Sequence, residues 1–177
     1  RAIADHFDKA YELEVELETR GKSDLLQIVR NIVPPRVECV YVRQAEALGL
    51  GHAVLCARPV VGEEPFAVIL AADLIEEDAQ EGGALSQMAR QFNKYQCSIL
   101  GVERVPKSET NKYGIVHPLP FANRLSNVDG IVEKPKPEKA PSNLAVVGRY
   151  ILTSRIFDLL QNTPRGAGNE IQLTDGI

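Results

Sequence analysis

The apolar run Phe66-Ala67-Val68-Ile69-Leu70 constrains this chain more than any other feature. A continuous run of this kind, with no polar alternation, is the signature of a strand buried on both faces, as in a parallel sheet. Two further runs, Cys97 to Val102 and Ala145 to Leu152, also read as strands. Helical patterns separate them. Leu85, Met88, Ala89 and Phe92 recur at helical spacing, and such a stripe reads as core rather than as a cofactor box. Arg155 to Gln161 reads as a helix after the last strand. Strands alternating with helices imply crossover connections, hence an α/β fold with a mostly parallel sheet.

The remaining segments are shorter. Ile3 to Arg20 predicts one helix, closed by Gly21 as C-cap. Ser23 is expected to cap a second, with Leu25, Leu26, Ile28, Val29, Ile32 and Val33 on its apolar side and Pro34-Pro35 ending it. Val37 to Val42 is a short β-rich run, and Gly51 to Arg58 a helix entered through a glycine loop. Tyr113 to His117 and Val128 to Val132 are extended pieces with a polar turn between them. The Pro- and Lys-rich stretch from Glu133 to Pro141 is either a solvated linker or a loop at the mouth of the sheet, where ligands bind.

Bulk properties exclude several classes. The 177 residues are 44% hydrophobic and 25% charged, which supports a core and argues against disorder. A net charge of −4 provides no basic field for nucleic acid, so an anionic substrate must be met by local Lys, Arg or backbone N–H groups. Cys39, Cys56 and Cys97 lie far apart in apolar runs and match neither a zinc knuckle nor a CxxC motif. Buried free thiols and a reducing, cytoplasmic compartment are expected. No apolar run is long enough to span a membrane, and no signal peptide opens the chain. The chain begins at Arg1 and stops at Ile177 inside a helical pattern, so both ends are expected to be truncations.

Four segments carry candidate chemistry. In Arg43 to Ala53, Gln44 can donate and accept at once, which suits a nucleobase edge. Gly49 and Gly51 allow close backbone approach to a ligand, and N–H groups at a helix start favour anions. An ordinary glycine turn would look the same. Asp73, at the end of Leu70-Ala71-Ala72-Asp73-Leu74, is a natural magnesium ligand beside phosphates, or else a helix cap or solvated acid. In Val132-Glu133-Lys134-Pro135, the carboxylate can accept from sugar hydroxyls while the ammonium meets a phosphate; the alternative is a surface ion pair. Asn143 to Tyr150, with Tyr113-Gly114 before it, places glycines in or near strands, where a ligand or another backbone comes close.

In this order, and with Pro164 to Asp175 added, these segments resemble the bacterial UTP–glucose-1-phosphate uridylyltransferases of the sugar-nucleotidyltransferase superfamily. The resemblance runs through nearly the whole chain. It implies a Rossmann-like three-layer α/β/α fold and the conversion of UTP and glucose 1-phosphate into UDP-glucose and pyrophosphate, with Mg²⁺ as cofactor. It also implies a homo-oligomer at full length, with residues 1–177 as the central part of a single nucleotidyltransferase domain. Carried over by position, Gln44 reads the uracil edge and Gly49 lets the loop pass close to the base. Tyr113, Gly114 and Val146 line the sugar pocket, Glu133 holds glucose hydroxyls, and Lys134 meets the sugar phosphate as the catalytic cation. The family's triphosphate loop falls upstream of Arg1 and its second magnesium carboxylate downstream of Ile177. Aligned without gaps, the family's first metal aspartate falls on Ala72; strand alternation argues that the neighbouring Asp73 points elsewhere, while a relaxed strand end would still let it reach the ion, and Asp73 is the candidate metal ligand. Two rivals stay open: a nucleotidyltransferase with another NTP preference, and a non-catalytic sugar-nucleotide-binding homologue.

Overall fold

The computed structural model describes residues 2–77, 79–122 and 124–177, with backbone only at residues 2, 120–122 and 167. The chain divides into two units, residues 1–43 and 44–177.

The first unit holds helices α1 (Ala2–Phe7), α2 (Tyr11–Thr19) and α3 (Ser23–Arg30). Gly21, at φ +66°, ends α2 as expected. Its N–H reaches the Glu18 carbonyl, and the Lys22 N–H reaches that of Leu17, the paired bonds of a Schellman turn. The turn folds α3 back on α2, burying Leu17 and Leu26. Buried Glu14 meets Arg30 Nε at 3.0 Å. Three expectations fail here. The single helix from Ile3 to Arg20 is broken between Asp8 and Ala10, where aspartate is a weak helix former. Ser23 lies inside α3, while Lys22 occupies the N-cap without a side-chain bond. Val37 to Val42 forms no strand, and Val37, Val40, Tyr41 and Val42 are exposed.

The second unit begins with α4 (Leu50–Cys56) and α5 (Arg58–Val61), followed by β1 (Phe66–Ile69), α6 (Ala84–Tyr95) and β2 (Ile99–Arg104). It continues with β3 (Gly114–Ala122), β4 (Leu125–Glu133), β5 (Leu144–Leu152), α7 (Arg155–Asn162) and α8 (Leu173–Gly176). The five strands form one sheet of order β1-β5-β3-β4, with β2 also on β5.

Every ladder in this sheet is antiparallel, which overturns the mostly parallel sheet expected of a Rossmann-like three-layer fold. The ladder registers show why the pattern misled. β2 runs along one edge of β5, from Leu144 to Ile151, so β1 and β3 share the other. Both β1 and β2 are antiparallel to β5 and therefore point the same way, joined through α6 as the alternation of elements implies. β5 arrives later in sequence, points the opposite way, and fills the gap between them. Helix–strand alternation reports strand direction, not which strands are neighbours. β1 alternates half-buried and exposed residues, so it is not buried on both faces; that environment belongs to β5.

Val54, Val116, Val146, Tyr150, Leu152, Ile156, Phe157, Leu160 and Leu173 form the core, which joins α4, β3, β5, α7 and α8. Phe66 stacks on Phe157 with ring centroids 5.1 Å apart. The cysteines depart from expectation: Cys39 and Cys97 are exposed and Cys56 is half-buried, all as free thiols. Among the described residues no helix is long and apolar enough to cross a membrane.

Candidate functional site

An open cleft of about 220 Å³ lies in the second unit, where the start of β3 and the end of β4 meet the middle of β5 and the start of α8. Asp73, Tyr113, Gly114, Glu133, Lys134 and Val146, separated by up to 73 positions in sequence, all line it. The antiparallel pairing of β3 with β4 sets Gly114 opposite Glu133, and the Lys134 N–H donates to the Tyr113 carbonyl at 2.9 Å. That bond helps hold Lys134 at φ +47°, a left-handed conformation uncommon outside glycine and often stored at functional sites.

Glu133 is the best-held polar group in the cleft. Thr174 Oγ1 donates to its Oε2 at 2.9 Å, and Lys134 Nζ lies 3.6 Å from its Oε1. A carboxylate offers about four acceptor positions, so capacity remains for ligand hydroxyls. The Glu133 side chain is 16% exposed and that of Lys134 57%, so the acid is fixed in the wall while the ammonium reaches into solvent. Gly114 is required by packing: a Cβ there would sit 2.9 Å from Thr174 Cγ2 and 3.1 Å from Glu133 Oε2. The close approach is thus made by the chain itself.

Asp73 follows β1 in a turn rather than in the strand, so alternation does not govern its direction. It lines the cleft, while the neighbouring Ala72 is exposed and does not. A buried cation holds the turn: Arg149 Nη1 donates to the Leu70 and Gly148 carbonyls, both at 3.1 Å, and Nη2 to the Asp73 carbonyl. Gly148, at φ +61°, leaves the space that the Asp73 carboxylate fills. Burial, with the negative charges of Glu133 and Asp73 behind it, pushes the Tyr150 phenol up to about 12. It therefore stands in the cleft as a neutral hydroxyl.

Gln44 and Gly49 do not line this cleft, although Leu50 does. Gly49 (φ +94°) and Gly51 are explained by the chain: Cβ atoms there would lie 2.8 Å and 2.7 Å from the Ile171 carbonyl. The Gly51 N–H donates to that carbonyl and the Ile171 N–H to the Leu48 carbonyl, both at 2.8 Å. The Gly51 donor is therefore already engaged and is not offered to an anion.

Sequence reasoning gave no individual role to Lys112, Tyr150, Gln172 or Thr174, which also line the cleft, although the last three fall in segments it singled out. Thr174 lay within the quoted resemblance, but its bond to Glu133 spans 41 positions and has no local signature.

The donor set bears on a metal. Among the described residues no group of three or more His, Cys, Asp or Glu side chains could hold an ion. Mg²⁺ nevertheless often takes only one or two carboxylates, the rest coming from substrate phosphates and water. Asp73 fits that share.

A profile of the nucleotidyl transferase family matches residues 3–176. The chain is 47% identical over 182 residues to the UTP–glucose-1-phosphate uridylyltransferase of Pseudomonas aeruginosa, covering all of this chain and 63% of that protein. It is 49% identical over 177 residues to the enzyme of that name from Staphylococcus haemolyticus, covering 100% and 60%. Among solved structures, UDP-glucose pyrophosphorylase from Acinetobacter baumannii superposes with a TM-score of 0.88 at 46% identity, covering 99% of this chain and 60% of that one. A UDP-glucose pyrophosphorylase complexed with UDP-glucose gives 0.85 at 43%, covering 99% and 63%. The chain spans 60–63% of the length of these relatives. Matched almost from end to end by the family profile, the chain belongs to the nucleotidyl transferase family.

Proposed function

We propose that this chain is the central part of a UTP–glucose-1-phosphate uridylyltransferase, and that its cleft holds the sugar phosphate. The observation that carries the reading is the meeting of Glu133, Lys134, Tyr113, Gly114 and Val146 around one cleft, in a chain 47% identical to an enzyme of that name. Glu133, oriented by Thr174, accepts hydrogen bonds from glucose hydroxyls. Lys134 stands beside the sugar phosphate and neutralises it. Tyr150, kept neutral, donates or accepts without adding charge. A phosphate oxygen of glucose 1-phosphate attacks the α-phosphorus of UTP in line, and the bond from that phosphorus to the bridging oxygen breaks to release pyrophosphate. Catalysis of this kind rests on positioning and charge neutralisation. Magnesium, with Asp73 as its ligand from this chain, would supply further neutralisation of the phosphates.

The half-buried placement of Asp73 in the cleft favours this reading over a non-catalytic sugar-nucleotide-binding homologue, despite Ala72 at the family's aspartate position. The test is pyrophosphate release by the full-length protein with glucose 1-phosphate and each NTP in turn. UTP should be preferred by a wide margin and UDP-glucose should accumulate. Comparable kcat/KM for TTP or ATP would overturn the assignment, as would binding of UDP-glucose without turnover.

A further inference from the structure

Lys112 lines the cleft but has no part in the reaction as proposed. Among the described residues the charged groups of the wall are two acids, Asp73 and Glu133, and two bases, Lys112 and Lys134. The wall is therefore formally neutral. Lys134 already stands 3.6 Å from Glu133 Oε1, so part of its charge is met within the chain. A phosphate monoester carries about −1.5 to −2 at neutral pH, more than one partly compensated ammonium offsets. Lys112 is the other cation at hand.

Its backbone is fixed while its side chain is not. The 3₁₀ turn Lys107–Lys112 is anchored by Thr110, which is fully buried and donates from Oγ1 to the Lys107 carbonyl at 3.0 Å. The Tyr113 N–H donates to the Thr110 carbonyl at 3.3 Å, and the Tyr113 carbonyl accepts from the Lys134 N–H at 2.9 Å. Tyr113 thus ties the backbones that carry both lysines to one wall. Among the described residues the Lys112 ammonium has one partner, Glu109 Oε1 at 3.4 Å, with the two side chains 60% and 41% exposed. Such an exposed pair holds weakly. Glu109 does not line the cleft, so the pair tethers a cation of the wall to a carboxylate outside it.

We propose that Lys112 is a second phosphate-binding cation of this cleft, one that exchanges Glu109 for the phosphate of the sugar phosphate. This rests on the functional reading above, in which the cleft holds that substrate. The four-carbon stem gives the ammonium reach, and its three donors suit a phosphate as a point charge. A doubly charged phosphate competes well against a single solvated carboxylate.

Steady-state kinetics of the full-length protein at saturating UTP, over a range of NaCl concentrations, test this. Lys112→Ala should raise KM for glucose 1-phosphate about fivefold, with a smaller change in kcat, and should flatten the rise of KM with salt because one screened contact is gone. Lys112→Arg should keep most of the affinity and the salt response. Glu109→Gln should lower KM about twofold by releasing the ammonium. Lys139→Ala removes an exposed cation that does not line the cleft, from the 3₁₀ turn Pro137–Lys139, and should change KM by less than about twofold. An unchanged KM in Lys112→Ala, in a protein that turns over glucose 1-phosphate, overturns the inference and leaves the functional reading standing. An equal rise in Lys139→Ala also overturns it, since that marks a diffuse field rather than a contact. A rise in Glu109→Gln equal to that in Lys112→Ala overturns it too, by making the pair structural. Absence of turnover with every NTP in the unsubstituted protein overturns the functional reading instead, and the inference with it.

Discussion

Gly148→Ala should be far more costly than an ordinary glycine replacement, because two separate penalties fall on one atom. Gly148 sits at φ +61°, where a side chain costs about 1–2 kcal/mol in backbone strain. Part of that is offset, by about 0.4–1 kcal/mol, because alanine restricts the unfolded chain. The new Cβ would also overlap the Asp73 carboxylate and sit 2.9 Å from Leu70 Cβ. Arg149 holds the carbonyls of both residues, so the turn cannot simply step aside. Overpacking of this kind costs about 1–3 kcal/mol. The sum is about 1–5 kcal/mol, centred on about 3, against about 1 kcal/mol for Gly82→Ala, where φ is +80° and the nearest atom lies 3.9 Å from the added Cβ. Urea unfolding of both variants measures the difference. Asp73→Ala introduced beside Gly148→Ala should recover about 1–3 kcal/mol, the coupling expected of two groups in direct contact. Equal costs for Gly148→Ala and Gly82→Ala, or additive effects in the double variant, would refute the reasoning.

Thr174→Val should loosen Glu133 and raise KM for the sugar phosphate about tenfold, since a hydrogen bond to a charged group is worth about 1.5–3 kcal/mol; steady-state kinetics read this directly. Lys134→Ala should reduce kcat/KM for glucose 1-phosphate about tenfold or more by the same estimate, and unchanged kinetics would make it an ordinary surface cation. Asp73→Asn should shift the magnesium dependence of turnover to higher concentration, whereas no shift would remove it as the ligand. Tyr150 carries a pH dependence: its folded value near 12 is above the ordinary 10.0, so the folded state binds the extra proton between them. The stabilisation is fully present below pH 10 and is lost as pH rises towards 12, at up to about 1.4 kcal/mol per pH unit. Tyr150→Phe should flatten unfolding free energy across that window, and an unchanged slope would assign the alkaline loss to other groups.

Local signals were legible where local physics decides. The Gly21 turn, the Met88 stripe of α6, the strand from Leu144 to Leu152 and the helix at Arg155 follow from glycine geometry and apolar spacing, and form close to where expected. Glu133 and Lys134 were legible as a pair, and they do face a cleft. What stayed hidden depends on distant partners. The apolar runs at Phe66 and Ile99 carry no mark that β5, whose paired residues lie 40 to 86 positions later, separates them. Gly49 and Gly51 read as ligand-facing because the sequence does not show Ile171 filling the same space. The direction of Asp73 stayed open in the sequence, because β1 stops at Ile69 and strand alternation does not extend into the turn beyond it.

The insertion of β5 between β1 and β2 also bears on how the sheet is made during translation. Among the described residues β1 and β2 pair with β5 alone, so none of the ladders they form within residues 44–177 can exist before β5, whereas the β3–β4 hairpin can. The edges of β1 and β2 that β5 covers are open to unwanted pairing until residues 144–152 clear the ribosome. The arrival of one nine-residue segment then completes three ladders together. Closing over such sequence separations is slow relative to hairpin formation, so the interval before β5 emerges is when this unit is most exposed to misassembly.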